Sequence, residues 1–264
     1  AAGAFSLSTG VDFATYYLVE FDPPGCVSVG AESRSGGVAV EPNILRFDGH
    51  PTGVHGDNTF YNRPATPTPV PEIRSFVQGV GGYTGVVDTS IEQEHPDQDM
   101  SRYWIYVRSS GVTSGLIRYE LHSVIPADAA VQSAELRLYV LTRTNTIPLQ
   151  VGAYGVRRAW VDNQANWVWA TTADRWATEG CNNTDTDRDG DPVDTVDVPS
   201  SVNGYVTLDV TGLVRRWVSD PATNKGVYLR GLAGGSTLVG LASSENAVEA
   251  WRPRLKVVWQ PGPP

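Results

Sequence analysis

Residues 134–141, AELRLYVL, alternate apolar and polar side chains, as a β-strand does when it buries one face and exposes the other. Further short runs of β-forming residues follow, and glycine- and proline-rich turns separate them. The 27 glycines and 18 prolines suit many short strands joined by turns. We therefore predict an all-β fold, a jelly-roll-like antiparallel β-sandwich of about eight strands. The predicted strands are 104–107, 116–121, 134–141, 149–156, 205–210, 227–232, 238–242 and 255–259.

One short helix is predicted within this β-rich pattern. Residues 210–218 place apolar side chains at 210, 213, 214, 217 and 218, which is helical spacing. Either Asp209 or Thr211 could cap its first turn.

The chain divides at a segment rich in proline and threonine. Prolines at 64, 67, 69 and 71 favour extended backbone and remove amide donors, so we predict a linker at 62–75. Residues 1–61 form a β-rich N-terminal extension without predicted helices, and 76–264 form the sandwich.

Charge and hydropathy exclude some partners. A net charge of −9 disfavours binding to nucleic acid and to anionic membrane surfaces. The sequence contains no run of 18 apolar residues, so it predicts no transmembrane helix. The first residues, AAGAFSLSTG, are mostly small, as after signal-peptide cleavage, so we expect a secreted protein at the extracellular surface.

The two cysteines allow two interpretations. Cys26 and Cys181 are far apart in the sequence and are either two buried thiols or one long-range disulfide. A disulfide would suit a secreted chain and would tie the N-terminal region to the middle of the chain.

Four of the eight tryptophans lie in residues 157–180, RRAWVDNQANWVWATTADRWATEG. Such a cluster is either the apolar core of a β-sandwich or an aromatic surface on which sugar rings stack.

Residues 84–260 resemble the DNRLRE, or disaggregatase-related, family of β-sandwich domains. The resemblance rests on GLIRYELHSVIPADAAVQSAELRLYV (115–140), WVDNQANWVWA (160–170) and YVTLDVTGLVRRWV (205–218). It implies a sandwich similar to carbohydrate-binding modules. At its matching positions it implies buried tryptophans, namely Trp160, Trp167, Trp176 and Trp217. Trp169 departs from the family pattern, and Trp169 and Trp104 are the candidates for stacking on sugars.

Residues 183–191, NTDTDRDGD, resemble the start of a calcium-binding loop. Alternate carboxylates can surround one cation while a glycine allows a sharp turn. The candidate Ca²⁺ ligands are Asp185, Asp187, Asp189 and Asp191. A solvated acidic loop is the alternative.

Catalytic motifs are missing from the sequence. It contains neither a G-x-S-x-G nucleophile motif nor a Cys-His signature. Its many acids cannot be paired across a cleft from sequence alone. We therefore expect a protein that is not an enzyme.

Two functions suit these features. The first is an extracellular structural subunit that polymerises into a surface filament, because a β-rich N-terminal segment can add as a strand to the sheet edge of another copy. The candidate contact residues are Phe13, Tyr16, Tyr17, Leu18, Val19 and Phe21. The alternative is a non-catalytic polysaccharide-binding module of a secreted or cell-surface protein.

Overall fold

The computed structural model describes residues 15–48, 57–65, 70–232 and 235–262. The chain forms two compact units, Ala1–Thr68 and Pro69–Pro264. The predicted all-β class is confirmed, because the described residues form 16 strands in four antiparallel sheets together with one α-helix.

Among its described residues, the first unit contains five strands in two small sheets. They are β1 (Thr15–Val19), β2 (Cys26–Ser33), β3 (Val38–Glu41), β4 (Ile44–Asp48) and β5 (Asn58–Pro64). One sheet has the order β1-β4-β3, and β2 pairs with β5 in the other. Aliphatic and aromatic residues dominate β1 and β4, which explains why these segments form strands.

The second unit contains eleven described strands and one helix. They are β6 (Glu72–Phe76), β7 (Val86–Glu92), β8 (Ile105–Arg108), β9 (Thr113–Tyr119), β10 (Ala130–Arg143), β11 (Leu149–Gly155), β12 (Asp194–Val198), β13 (Gly204–Asp209), α1 (Thr211–Ser219), β14 (Val227–Gly231), β15 (Leu238–Leu241) and β16 (Arg254–Gln260). A six-stranded sheet has the order β6-β16-β10-β15-β8, with β13 also paired to β10. The other sheet has the order β12-β11-β14-β9-β7.

The main core lies where the apolar faces of these two sheets meet. The alternation predicted for residues 134–141 is present in β10, where Leu136 and Leu138 are buried while Glu135 and Arg137 are exposed. Apolar residues of the five-stranded sheet, among them Ile117, belong to the same cluster. Burial of such side chains is the main force that holds the two sheets together.

The helix α1 begins one residue later than predicted. Val210 is its N-cap and gives no side-chain cap, while Asp209 Oδ1 accepts a hydrogen bond from the amide of Thr211 at 2.8 Å. Leu213 and Trp217, one turn apart, are buried in the main core. No helix in the described part of the chain is long and apolar enough to span a bilayer.

The tryptophan-rich stretch forms a second core on the outer face of the five-stranded sheet. In β9 Ile117 belongs to the main core, whereas its neighbour Leu116 belongs to the second cluster, because successive side chains of a strand point to opposite faces. The second cluster also contains Trp160, Trp167, Trp176 and Cys181. The predicted burial of these three tryptophans is therefore confirmed, although they pack outside the two-sheet interior.

The strands overlap both ends of the predicted linker 62–75. β5 continues to Pro64, which lies opposite Cys26, and β6 begins at Glu72 and pairs with β16. Phe76 at the end of β6 is buried in the main core, which explains why this strand joins the sandwich.

Candidate functional site

The three-stranded N-terminal sheet buries one of its faces. Leu45 and Phe47 of β4 are almost completely buried, and the Tyr16 ring stacks on Phe47 at 4.8 Å with an interplanar angle of 4°. Leu18 lies opposite Leu45 in the register and belongs to the same face. This face is the apolar core of the first unit.

The opposite face of the same sheet is exposed. Tyr17 is 57% exposed, and Val19 and Val38 are also exposed. Tyr17 and Val38 both lie opposite Arg46 in the register, so these side chains form one row across the sheet. We call Tyr17, Val19 and Val38 the N-terminal apolar face.

The structure separates the six predicted contact residues. Tyr16 and Leu18 belong to the buried face, whereas Tyr17 and Val19 belong to the N-terminal apolar face. Phe21 follows the end of β1 and is 90% exposed. Phe13 lies outside the described residues. Among the described strands β1 pairs only with β4 of its own unit, so the part of the predicted donor segment that forms β1 is paired within its own chain.

The two candidate sugar-binding tryptophans belong to different aromatic contacts. Trp104 precedes β8 and is 41% exposed, and its neighbour Tyr103 is also exposed. The Trp104 ring lies 6.3 Å from that of Tyr106, and both rings approach Gly240, which lies opposite Tyr106 in the register. This group is an exposed aromatic surface at the edge of the six-stranded sheet.

Trp169 does not offer an open aromatic surface. It is half-buried, and the guanidinium of Arg175 lies over its ring at 4.7 Å. Its amide donates to Asn166 Oδ1 at 2.8 Å. A cation already covers this ring, so a sugar would have to displace Arg175 in order to stack there.

Asp187 of the acidic loop is completely buried and fully paired. Its Oδ1 accepts a bond from Arg158 Nε at 2.7 Å and another from the amide of Ala177 at 3.0 Å. Its Oδ2 accepts a bond from the amide of Thr178 at 3.0 Å. A buried carboxylate is costly unless it is paired and hydrogen-bonded. These bonds therefore hold the acidic loop in place after the tryptophan cluster.

Asp189 lies between two arginines. Arg157 Nε and Arg216 Nη2 each lie 2.8 Å from one of its two carboxylate oxygens. Burial alone would raise the pKa of Asp189, but the bonds from Arg216 and Arg157 outweigh it, so the pKa is lowered. Asp189 is therefore ionised and its charge is neutralised locally.

The four predicted calcium ligands do not converge on one point. Asp187 and Asp189 bind arginines, while Asp185 and Asp191 are exposed. Within the described ranges no three His, Cys, Asp or Glu side chains are grouped so that they could hold a metal ion. Calcium binding at this loop stays a prediction, and it would have to compete with the arginine pairs.

Arg157 and Arg158 also line a cleft that the sequence did not predict. The cleft has a volume of about 360 Å³ and is lined by Arg157, Arg158, Ala159, Asp174 and Thr186. We call it the arginine cleft. Its one sequence signal is the Arg-Arg pair directly after the strand 149–156. The carboxylates that hold these arginines are about 30 residues away, so their pairing could not be read from the sequence.

The structure shows free thiols rather than the disulfide that the sequence left open as an alternative. Cys26 lies on β2 and Cys181 in the second core, and both thiols are free. Cys181 is completely buried, and burial raises the pKa of its thiol well above the ordinary value. It acts as a small apolar core residue.

The structure buries one carboxyl group whose burial the sequence did not indicate. Asp88 on β7 is 2% exposed, and its Oδ2 accepts a bond from the amide of Ser244 at 2.8 Å. Its Oδ1 has no partner among the described residues. Burial, and then the charge of Glu245, raise the pKa of Asp88 to about 7. The residues that flank Asp88 in the sequence do not indicate that its carboxyl group is buried.

The comparisons with known proteins give a family match and a distant likeness to a solved structure. The family model for the TGF-beta propeptide matches residues 92–238. No curated protein matches the chain. A chain in a structure of infectious bursal disease virus, Gx strain, is 8% identical with a TM-score of 0.19. The alignment covers 93% of the present chain and 59% of the viral one, and a likeness at this level carries no argument.

The family match corrects the DNRLRE resemblance, which is wrong. The motifs that carried it contain residues that pack the two cores, such as Trp160, Trp167 and Trp217. Such motifs report the packing of a β-sandwich and do not by themselves distinguish one sandwich family from another.

Proposed function

The chain belongs to the TGF-beta propeptide family, and from this premise we propose that it is a secreted, non-catalytic structural subunit that polymerises into an extracellular filament. The family is a non-enzymatic one from secreted proteins, which supports the location. The N-terminal unit supplies the contact between subunits.

The N-terminal apolar face is the observation that carries this proposal. Tyr17, Val19 and Val38 lie side by side on a sheet whose opposite face already forms the core of its unit. Several large apolar side chains exposed side by side are typical of a protein contact, whereas single exposed apolar residues are common on any surface. If the complementary surface lies elsewhere on the molecule, the contact is heterologous and continues into an open filament.

Strand exchange would give the contact its directional hydrogen bonds. β1 is the edge strand of its sheet and pairs with β4 from Thr15–Asp48 to Val19–Ile44. The same pairs would form between chains if β1 left its own sheet and added to β4 of a neighbour, as in domain swapping. Exchange therefore changes which chain supplies the strand and preserves the register.

Paired substitutions test the proposal. We expect Tyr17→Ser with Val19→Ser to lower the mass of the assemblies measured by light scattering, because the apolar contact is lost. Ile147→Ser, at an exposed apolar position of the second unit, is the matched control and should leave the mass unchanged. Equal masses for all three chains would contradict the proposal.

A disulfide lock separates strand exchange from simple face-to-face contact. Thr15 and Asp48 are register partners at the end of the β1–β4 pair, on the same sheet face as Tyr17 but not among its apolar residues. Thr15 Oγ1 donates to Asp48 Oδ1 at 2.8 Å. Thr15→Cys with Asp48→Cys should close a disulfide that holds β1 in its own sheet. Oxidised chains that no longer assemble, and regain assembly on reduction, indicate exchange. Oxidised chains that still assemble rule exchange out.

Polysaccharide binding is the second candidate function, and the exposed rings of Trp104 and Tyr103 support it. Exposed aromatic rings can stack on sugar rings through their apolar faces. Trp104→Ala should abolish retardation of the protein in polysaccharide-containing gels. Val248→Ala, also at an exposed apolar position, is the control. The same retardation in both variants would exclude this surface.

A further inference from the structure

We propose that the arginine cleft is a docking site for one acidic side chain of a partner protein. This inference is independent of the filament contact, because the cleft lies in the second unit and the N-terminal apolar face lies in the first. A carboxylate enters the cleft and binds the guanidinium groups of Arg158 and Arg157.

The carboxylates of the acidic loop prepare the cleft for this ligand. Arg158 uses its Nε to bind Asp187, and among the described residues its Nη1 and Nη2 bind nothing. Arg157 uses Nε for Asp189 and Nη1 for the Asp185 carbonyl, which leaves Nη2. Both side chains are thus held in place, and each keeps at least one terminal amino group for a further acceptor.

This arrangement favours a strong, oriented bond. A guanidinium offers parallel N–H groups that match the two oxygens of a carboxylate. Since Asp187 and Asp189 already fix the arginines, little side-chain freedom is lost when a ligand binds. Arg158 is also largely shielded from water, with 28% of its side chain exposed, which strengthens the interaction with a carboxylate.

The lining disfavours ligands of other classes. Asp174 faces the same cleft, so a doubly charged phosphate or sulfate meets a carboxylate as well as the arginines. The net charge of −9 opposes any polyanion. The described residues that line the cleft include no aromatic side chain on which a sugar ring could stack. One singly charged side chain fits these limits best.

Small capped amino acids test the proposal directly. The whole chain, labelled with ¹⁵N-arginine, is titrated with N-acetylglutamate N-methylamide and, separately, with the neutral glutamine analogue. We expect saturable shifts of the side-chain signals of Arg157 and Arg158 with the glutamate compound alone. Exposed Arg102, outside the cleft, reports non-specific charge effects and should shift only linearly. Equal shifts with the glutamine analogue, or the same curve for Arg102, would overturn the proposal.

Two variants move the affinity in opposite directions. Arg157→Gln should weaken binding about tenfold, because a charge-assisted bond is lost, while Asp189 keeps Arg216. Asp174→Asn removes a like charge and should tighten binding several-fold, a gain that misfolding cannot imitate. Unchanged affinity in Asp174→Asn would contradict the site. Galacturonate is titrated in parallel, and tighter binding of this sugar acid than of the glutamate compound would replace the peptide ligand with a sugar.

Discussion

Arg158 Nε lies 2.7 Å from Oδ1 of Asp187, a carboxylate with no exposed surface. The amides of Ala177, Thr178 and Asn183 also donate to this carboxylate, so it connects three parts of the segment between β11 and β12. A loop that the sequence suggests for calcium is thus held by an arginine of its own chain.

Removal of the buried partner should destabilise the second core. We expect Asp187→Ala to lower the free energy of unfolding by about 3–5 kcal/mol, because Arg158 and three amides lose their acceptor in a buried site. Urea denaturation followed by tryptophan fluorescence measures this change. Asp185→Ala, at an exposed position of the same loop, should change it by less than about 0.5 kcal/mol. Similar midpoints for the two variants would refute the structural role of the pair.

Asp88 should make stability depend on pH. Its pKa is about 7 in the folded chain against a reference value of 3.8, so between these values the folded state binds more protons than the unfolded state. The stabilising contribution of the protonated carboxyl is complete below about pH 4 and is lost as pH rises to about 7. The loss amounts to about 4 kcal/mol, since one pKa unit corresponds to about 1.4 kcal/mol.

Asp88→Asn removes this titration and tests it. The asparagine resembles the protonated acid, so the variant should equal the wild type near pH 4 and exceed it in stability at pH 8. The charge of Glu245 contributes to the raised pKa of Asp88. Glu245→Gln should therefore lower this pKa, and the loss of stability with rising pH should occur at a lower pH than in the wild type. Parallel stability curves for the wild type and Asp88→Asn from pH 4 to pH 8 would contradict the assignment.

The two thiols should differ in reactivity. Cys181 is completely buried with a raised pKa, whereas Cys26 is partly exposed. Thiol reagents react with the accessible thiolate. A thiol reagent should therefore label Cys26 alone in the native protein, and both cysteines in urea. Mass spectrometry of tryptic peptides identifies the labelled residue. Labelling of Cys181 before Cys26 in the native chain would show that the second core opens.

The fold of the second unit was largely readable from sequence, because alternation carries it. β10 contains the whole predicted strand 134–141, and α1 begins one residue from the prediction. The sequence did not predict that Trp160 packs on the outer face of the five-stranded sheet. The hydrophobic pattern of a strand shows that both of its faces are apolar, but not which face the loop that contains Trp160 covers.

The candidate sites were less predictable than the fold. Arg157 and Arg216 meet at Asp189 from positions that the sequence separates by tens of residues, and no local pattern encodes such a meeting. The buried Asp88 breaks the expectation that acids lie in water, and a sequence rule built on that expectation misses it.

Electron microscopy of the full chain and of a chain without residues 1–21 tests the filament proposal most directly. All eight tryptophans lie in the second unit, so their fluorescence shows whether the truncated chain keeps its folded sandwich. We predict filaments from the full chain and folded particles without filaments from the truncated one. Filaments from a truncated chain, or a full chain that stays monomeric under every assembly condition, would contradict the account.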